Sequence, residues 1–228
     1  MITQREFNEA TARFKELEKR GSFYPMFCDM MDKGLEIEAY LFILSTWNFA
    51  VFRYAMKEFD INGFKKTMER LGPAFDKLKN ESFRTIEFDK YKEEIVTIFE
   101  TLSKIEGVKY TGATKIMHLK NRSLFVMWDG YISGNTTKRY YKELEIVKKG
   151  KRKFKRYKRS GEGYFQFLKD MRALFNGLNS PYNDKTFTKA IDEYNYANIT
   201  LPIQDMQGEE RKKKKEEKKK EKAGRSPL

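Results

Sequence analysis

Residues 36–59 read EIEAYLFILSTWNFAVFRYAMKEF. The middle of this stretch is apolar on nearly every side of a helical wheel, which predicts one long helix, Glu36–Phe59, surrounded by other helices. Its uncharged run, Ala39 to Phe52, is 14 residues long. A helix needs roughly 20 apolar residues to cross a bilayer, so the run reads as core and no membrane partner is expected. Trp47 and Asn48 lie within it. A polar Asn in such a helix requires a hydrogen-bond partner and is expected to be structural.

The flanking sequence supplies the surrounding helices. Thr3-Gln4-Arg5-Glu6 has the form of a capping box, and Phe7, Ala10, Phe14 and Leu17 follow at spacings of three and four, predicting an amphipathic helix that stops near Gly21. After the Asn62-Gly63 turn, Phe64–Leu71 and Pro73–Lys79 read as two short helices, the second with proline in its first turn. Phe88–Ile105, Tyr164–Phe175 and Phe187–Tyr194 repeat the helical spacing. Period-two alternation is confined to Glu143–Val147, inside a loop or extended hairpin between Tyr141 and Gly161. The expected fold is therefore all-α: a multi-helix globular domain over residues 1–207, with a basic insertion at 148–159. A Lys/Glu-rich tail at 208–228 is expected to be disordered or a frayed helix.

At 228 residues, 39% hydrophobic and 15% aromatic, the chain has enough apolar surface to fold as one large domain. Cys28 is its one cysteine and His118 its one histidine. That excludes an internal disulfide, a CxxC redox pair, a zinc ribbon and a HExxH metal centre, so no metal and no cofactor is expected. A single thiol, together with an N-terminal segment lacking an apolar h-region, points to a reducing, intracellular location. His118, between Met117 and Leu119, reads as a packing or surface residue.

The net charge of +14 is localised. Residues 148–159, KKGKRKFKRYKR, hold nine basic and no acidic side chains; residues 209–228 hold ten basic and five acidic. The rest of the chain carries 28 of each sign. A concentrated positive segment attracts polyanions by releasing their condensed counterions, so nucleic acid is the first candidate partner. Lys151, Arg152, Lys153, Lys155, Arg156, Lys158 and Arg159 are the candidate phosphate contacts. Phe154 and Tyr157, interleaved with them, are candidates to stack on unpaired bases. The same segment also suits an acidic protein partner.

The most specific stretch is Ile105–Ile132, IEGVKYTGATKIMHLKNRSLFVMWDGYI. A helix ends, Gly107-Val108 makes a tight turn, and small residues open a new helix whose first N–H groups can hold a phosphate. Gly107, Val108, Tyr110, Gly112, Thr114 and Lys115 are the candidate contacts around that turn.

These 28 residues resemble the helix-hairpin-helix DNA glycosylase superfamily. Ile105-Glu106-Gly107-Val108 is similar to the start of its hairpin, Gly112-Ala113-Thr114-Lys115 to its second helix, and Phe125–Ile132 to the segment that delivers its catalytic aspartate. The chain departs from the pattern in having Glu106 in place of the usual proline and Lys109 in place of the second glycine. The resemblance implies duplex DNA as partner and cleavage of the N-glycosidic bond of a damaged or mismatched base, with Asp129 stabilising positive charge on the sugar. In lyase-type members a lysine attacks the sugar, a position that falls near Lys109 or Tyr110; Lys115 lies on the following helix. It further implies an aromatic pocket for an extruded base, with Trp128, Tyr131 and Trp47 as candidate walls. Asp129 also fits a plain helix N-cap, since Gly-Tyr-Ile follows a hydrophobic run. The rival expectation is a noncatalytic nucleic-acid-binding module that uses 148–159.

Overall fold

The computed structural model describes residues 2–134 and 156–223. Among these every regular element is helical. The expected strand at 143–147 and most of the basic insertion lie outside the described residues. The α-helices are α1 Gln4–Leu17, α2 Tyr24–Asp32, α3 Glu36–Trp47, α4 Phe49–Ala55, α5 Ile61–Leu78, α6 Lys92–Ser103, α7 Lys109–Lys120, α8 Gly161–Phe175, α9 Phe187–Asn195 and α10 Leu201–Ala223. A single π turn, Tyr196–Thr200, joins the last two.

α1 begins as its sequence dictates. The Thr3 hydroxyl accepts from the Glu6 N–H while the Glu6 carboxylate accepts from the Thr3 N–H at 2.9 Å. Phe7, Ala10, Thr11 and Phe14 form its buried face. It closes at Glu18, before Gly21, and a 3-10 turn at Lys19–Phe23 leads into α2.

The single helix expected over 36–59 is two helices broken at Asn48 (φ −118°, ψ 18°). The cause is tertiary. Asn48 is buried, and its Nδ2 donates to the carbonyls of Gly107 (3.0 Å) and Val108 (3.1 Å), so one amide ties the α3–α4 corner to the α6–α7 turn. Asn48→Ala leaves the buried Gly107 carbonyl without its side-chain donor, while the Val108 carbonyl keeps the Gly112 N–H at 3.0 Å, and is expected to cost about 1–2 kcal/mol in urea unfolding. A loss well under 1 kcal/mol would show that the two corners do not depend on this amide.

α5 is likewise one helix where two were expected. Asp60 caps it, accepting from the Gly63 N–H at 2.9 Å, and Phe64, Leu71, Phe75 and Leu78 form one continuous buried stripe through the proline. Pro73 is exposed, so the carbonyl that loses its intrahelical donor lies on the solvent side.

The helix enclosed on all sides is α7, not the 36–59 stretch. Gly112 to Leu119 are all buried, and α7 packs against α6, α3 and α2. Small residues permit this: a Cβ on Gly112 would stand 2.7 Å from Leu44 Cδ2 and 2.9 Å from Asn48 Nδ2. The polar groups that α7 buries are paired. His118 Nε2 lies 2.8 Å from the Tyr24 hydroxyl and Nδ1 2.7 Å from the Phe125 carbonyl, and burial pushes its pKa down to about 3, so the imidazole is neutral. It is a packing residue.

The tail set apart at residue 208 is the continuation of α10, which runs unbroken from Leu201 to Ala223. Ile203 is fully buried, and the Tyr131 hydroxyl donates to Gln207 Oε1 at 2.9 Å, so the start of the helix is anchored. Beyond it, Lys and Glu at helical spacing favour propagation. Among the described residues no helix is long and apolar enough to cross a membrane.

Candidate functional site

A cavity of about 460 Å3 opens where the α3–α4 corner, the start of α7, the turn at 127–132 and the α9–π-turn segment converge. Trp47, Phe14, Tyr110 and Tyr196 supply aromatic walls, and Asp129, Lys115, Lys189 and Asp192 supply charge. A larger cavity of about 590 Å3 lies elsewhere, around Arg84 and Arg172. There the two guanidinium groups hold the loop carbonyls of Leu178 and Ile86 and lie over the Phe187 and Phe88 rings, which is structural work.

Asp129 stands on the wall of the first cavity, partly exposed. Its Oδ1 accepts from the N–H groups of Tyr131 (2.8 Å) and Ile132 (2.7 Å), and Oδ2 accepts from the Thr200 hydroxyl at 2.7 Å. The aspartate therefore caps the turn that follows it, where a helix start was expected, and also lines an open space. Thr200 reaches it from the π turn, whose extra residue per turn shifts the helix face between α9 and α10.

Trp47 and Tyr131 line the cavity. Trp128 borders it but is only 1% exposed: its Nε1 donates to the Tyr110 carbonyl at 3.1 Å and its ring packs on Phe99, Tyr164 and Phe167. It belongs to the core behind the wall.

The glycine turn differs from its expected role. Gly107 and Val108 are buried, with a Gly107 Cβ position 2.9 Å from Ala55 and 3.2 Å from the Phe52 ring. Helix α4 thus covers the bend. Gly112 is packed against Leu44, and the Thr114 hydroxyl is shared between the Thr111 carbonyl and the Trp128 backbone. None of these four is available to a phosphate. The accessible part of the turn is Lys109, Tyr110 and Thr111, and the last two reach the cavity rim.

Lys109 is not among the residues lining the cavity. Its ammonium pairs with Glu106 at the surface, away from where a sugar-attacking amine is needed. Its backbone is more informative. Gly107 has φ +84° and Lys109 φ +51°, the one non-glycine residue with positive φ among those described. This is the alternation that two glycines ordinarily serve, and a lysine adopts it at a cost of roughly 1 kcal/mol. Lys109→Gly is expected to raise stability by about 0.5–1 kcal/mol in urea melts, since only an exposed ion pair is lost. Destabilisation would show that Lys109 is held by more than its ion pair.

Of the basic segment, Lys151, Arg152, Lys153, Phe154 and Lys155 lie outside the described residues. Arg156, Lys158 and Arg159 are exposed, and the Arg159 guanidinium sits 4.3 Å over the Tyr110 ring at the cavity rim. Tyr157 is not a surface stacking platform: it is 6% exposed, its ring packs on Phe167 and Trp128, and its hydroxyl donates to Asp170 at 2.8 Å. The Tyr157 N–H donates to the Ser133 carbonyl at 2.9 Å. The chain therefore leaves at residue 134 and returns at 156 at one place, four residues past Asp129.

No family model, curated protein or solved structure matches this chain.

Lys115 sits on the cavity side of α7, buried, with its Nζ 2.6 Å from the Trp47 carbonyl. Beside it is an ion cluster that the sequence reading passed over. Lys189 on α9 is fully buried; its Nζ lies 2.7 Å from Asp192 Oδ2 and 3.2 Å from Glu193 Oε1, among the rings of Phe14 (4.7 Å), Trp47 (4.9 Å) and Tyr24 (5.3 Å). Burial opposes its charge, but the two carboxylates outweigh burial and hold its pKa above the usual lysine value. Burial raises the pKa of Asp192, with Lys189 opposing. The available signal was a lysine and an acid three residues apart beside the apolar face Phe187, Ala190, Ile191 and Tyr194. Among the described residues no His/Cys/Asp/Glu group has metal-site geometry.

Proposed function

We propose that this protein binds nucleic acid and acts on a base turned out of the stack, cleaving its N-glycosidic bond with Asp129 as the charge-stabilising carboxylate. The observation that carries the reading is the position of Asp129. It is fixed by three hydrogen bonds on the wall of an aromatic cavity, between the start of α7 and the point where the basic segment joins the scaffold. Gly107 and Lys109, the two positions at which the resembled hairpin carries glycine, both have positive φ.

In this reading the backbone lies across the rim, near Tyr110, Thr111 and Arg159, and the base enters between Trp47 and Tyr131. As the bond from C1′ to the base nitrogen breaks, its electron pair leaves with the base and positive charge develops on the sugar. Asp129, pre-oriented, stabilises that charge, and a water attacks C1′, its proton passing to the Asp129 carboxylate and then, through solvent, to the base that left with the electron pair. Water is the nucleophile in this reading because Lys109 lies off the cavity, Lys189 is ion-paired with Asp192 and Glu193, and Lys115 is tied to the Trp47 carbonyl.

The second reading, a noncatalytic module that captures unstacked bases, is favoured by the same hydrogen bonds, which occupy both Asp129 oxygens in capping the turn. Duplexes bearing single deaminated, oxidised or alkylated bases separate the two. Alkali-labile strand breaks at the lesion support base removal; salt-sensitive binding without such breaks supports the module. Absence of binding to any duplex at low salt overturns both.

A further inference from the structure

The floor of the cavity carries a chemical preference of its own. Asp192 is 8% exposed and lines the cavity. Its Oδ2 is held by Lys189, while Oδ1 has no hydrogen-bond partner among the described residues. Among the described residues no fully buried side-chain oxygen lacks a hydrogen-bond partner, so Oδ1 keeps access to the cavity, where a ligand N–H can reach it. Lys115 lines the same cavity, its ammonium anchored by the Trp47 carbonyl at 2.6 Å. An acceptor and a cation thus line one cavity together with Trp47.

We propose that this floor selects nucleobases that present a ring N–H next to a carbonyl oxygen, namely guanine, hypoxanthine, uracil, thymine and their oxidised forms. Asp192 Oδ1 accepts the ring N–H, and the Lys115 ammonium faces the carbonyl. In that register adenine and cytosine turn a bare ring nitrogen lone pair toward the carboxylate, which repels it, and only a shifted pose brings their exocyclic amine to Asp192. Trp47 and Phe14 offer rings on which the heterocycle stacks. A volume of about 460 Å3 falls within the usual small-ligand range of roughly 300–1,000 Å3 and accommodates a nucleoside.

The inference names the substrate class for the proposed function and rests on the cavity taking an unstacked base. Free nucleosides test it without DNA. Guanosine, inosine and uridine are titrated against adenosine and cytidine, by calorimetry and by quenching of tryptophan fluorescence, Trp47 being the more exposed of the chain's two tryptophans, both of which line the cavity. The first three are expected to bind about ten-fold or more tightly than the other two, because a buried hydrogen-bonding group left unpaired discriminates strongly. Asp192→Asn is expected to erase that preference. Equal binding across the panel, or a preference unchanged in Asp192→Asn, overturns the proposal; if that variant does not fold, the wild-type panel alone decides. A preference without duplex binding leaves this inference standing and removes the proposed function. Lesion processing with a flat nucleoside panel does the reverse.

Discussion

Asp129→Asn is expected to lower the rate of base release by at least about 100-fold while leaving the fold and duplex affinity nearly unchanged. The substitution separates the residue's two roles. An asparagine carbonyl oxygen still accepts from the Tyr131 and Ile132 N–H groups, and the Thr200 hydroxyl can reverse its bond and accept from the new amide. Asparagine caps turns as well as aspartate does, so the stability change should stay within about 0.5 kcal/mol. What disappears is the negative charge facing the sugar, which is worth most when positive charge develops there. Single-turnover release from a lesion duplex, measured beside a urea melt of the same preparation, reads both quantities. Unchanged turnover would leave Asp129 as a cap and nothing more.

The second large effect is on stability. Lys189→Met is expected to cost about 3–5 kcal/mol, because it leaves Asp192 and Glu193 buried with their principal cation gone. Glu193 retains Lys185 at 3.0 Å and the Tyr182 hydroxyl at 2.5 Å, so the larger part of the loss falls on Asp192. Domains are stable by only about 5–15 kcal/mol, and a loss of this size removes a large share of that margin. The combination Lys189→Met with Asp192→Asn and Glu193→Gln should recover most of the loss, since no buried charge then lacks its partner. Equilibrium unfolding of the single and triple variants checks both statements. A single-variant loss under about 1 kcal/mol would mean that water reaches this cluster far better than its burial indicates.

The parts of the fold legible in the sequence were those set by local chemistry. The Thr3–Glu6 box and the stripe through Phe7, Ala10 and Phe14 specify α1 without reference to the rest of the chain. The breaks were not legible, because distant partners set them. Asn48 interrupts an apolar helix in order to reach the Gly107 and Val108 carbonyls, about 60 residues away in sequence, and Pro73 fails to interrupt α5 because it falls on the solvent side of a continuous buried stripe. The same division holds at the site. Asp129, Trp47 and Tyr131 were indicated by a local pattern and all reach the cavity. Gly107, Val108, Gly112 and Thr114 occur in the same pattern but are covered, because small residues at a turn serve close helix packing as readily as ligand approach. Tyr157, read from its basic neighbours, went to the core because alternate residues along an extended chain face opposite sides. Lys189 and Asp192 were hidden because a charged pair on an apolar helix face looks like a surface ion pair until neighbouring helices close over it.

The bond between the Tyr157 N–H and the Ser133 carbonyl acts as a clasp. Whatever length of chain runs between residues 134 and 156, the scaffold meets it at two fixed adjacent points, and closing a loop twice as long adds only about 0.6 kcal/mol of entropy. Reach and charge in that stretch are therefore free to vary independently of the distance between Asp129 and Trp47: under the proposed function, the part that would capture a polyanion is separate from the part that would hold the base.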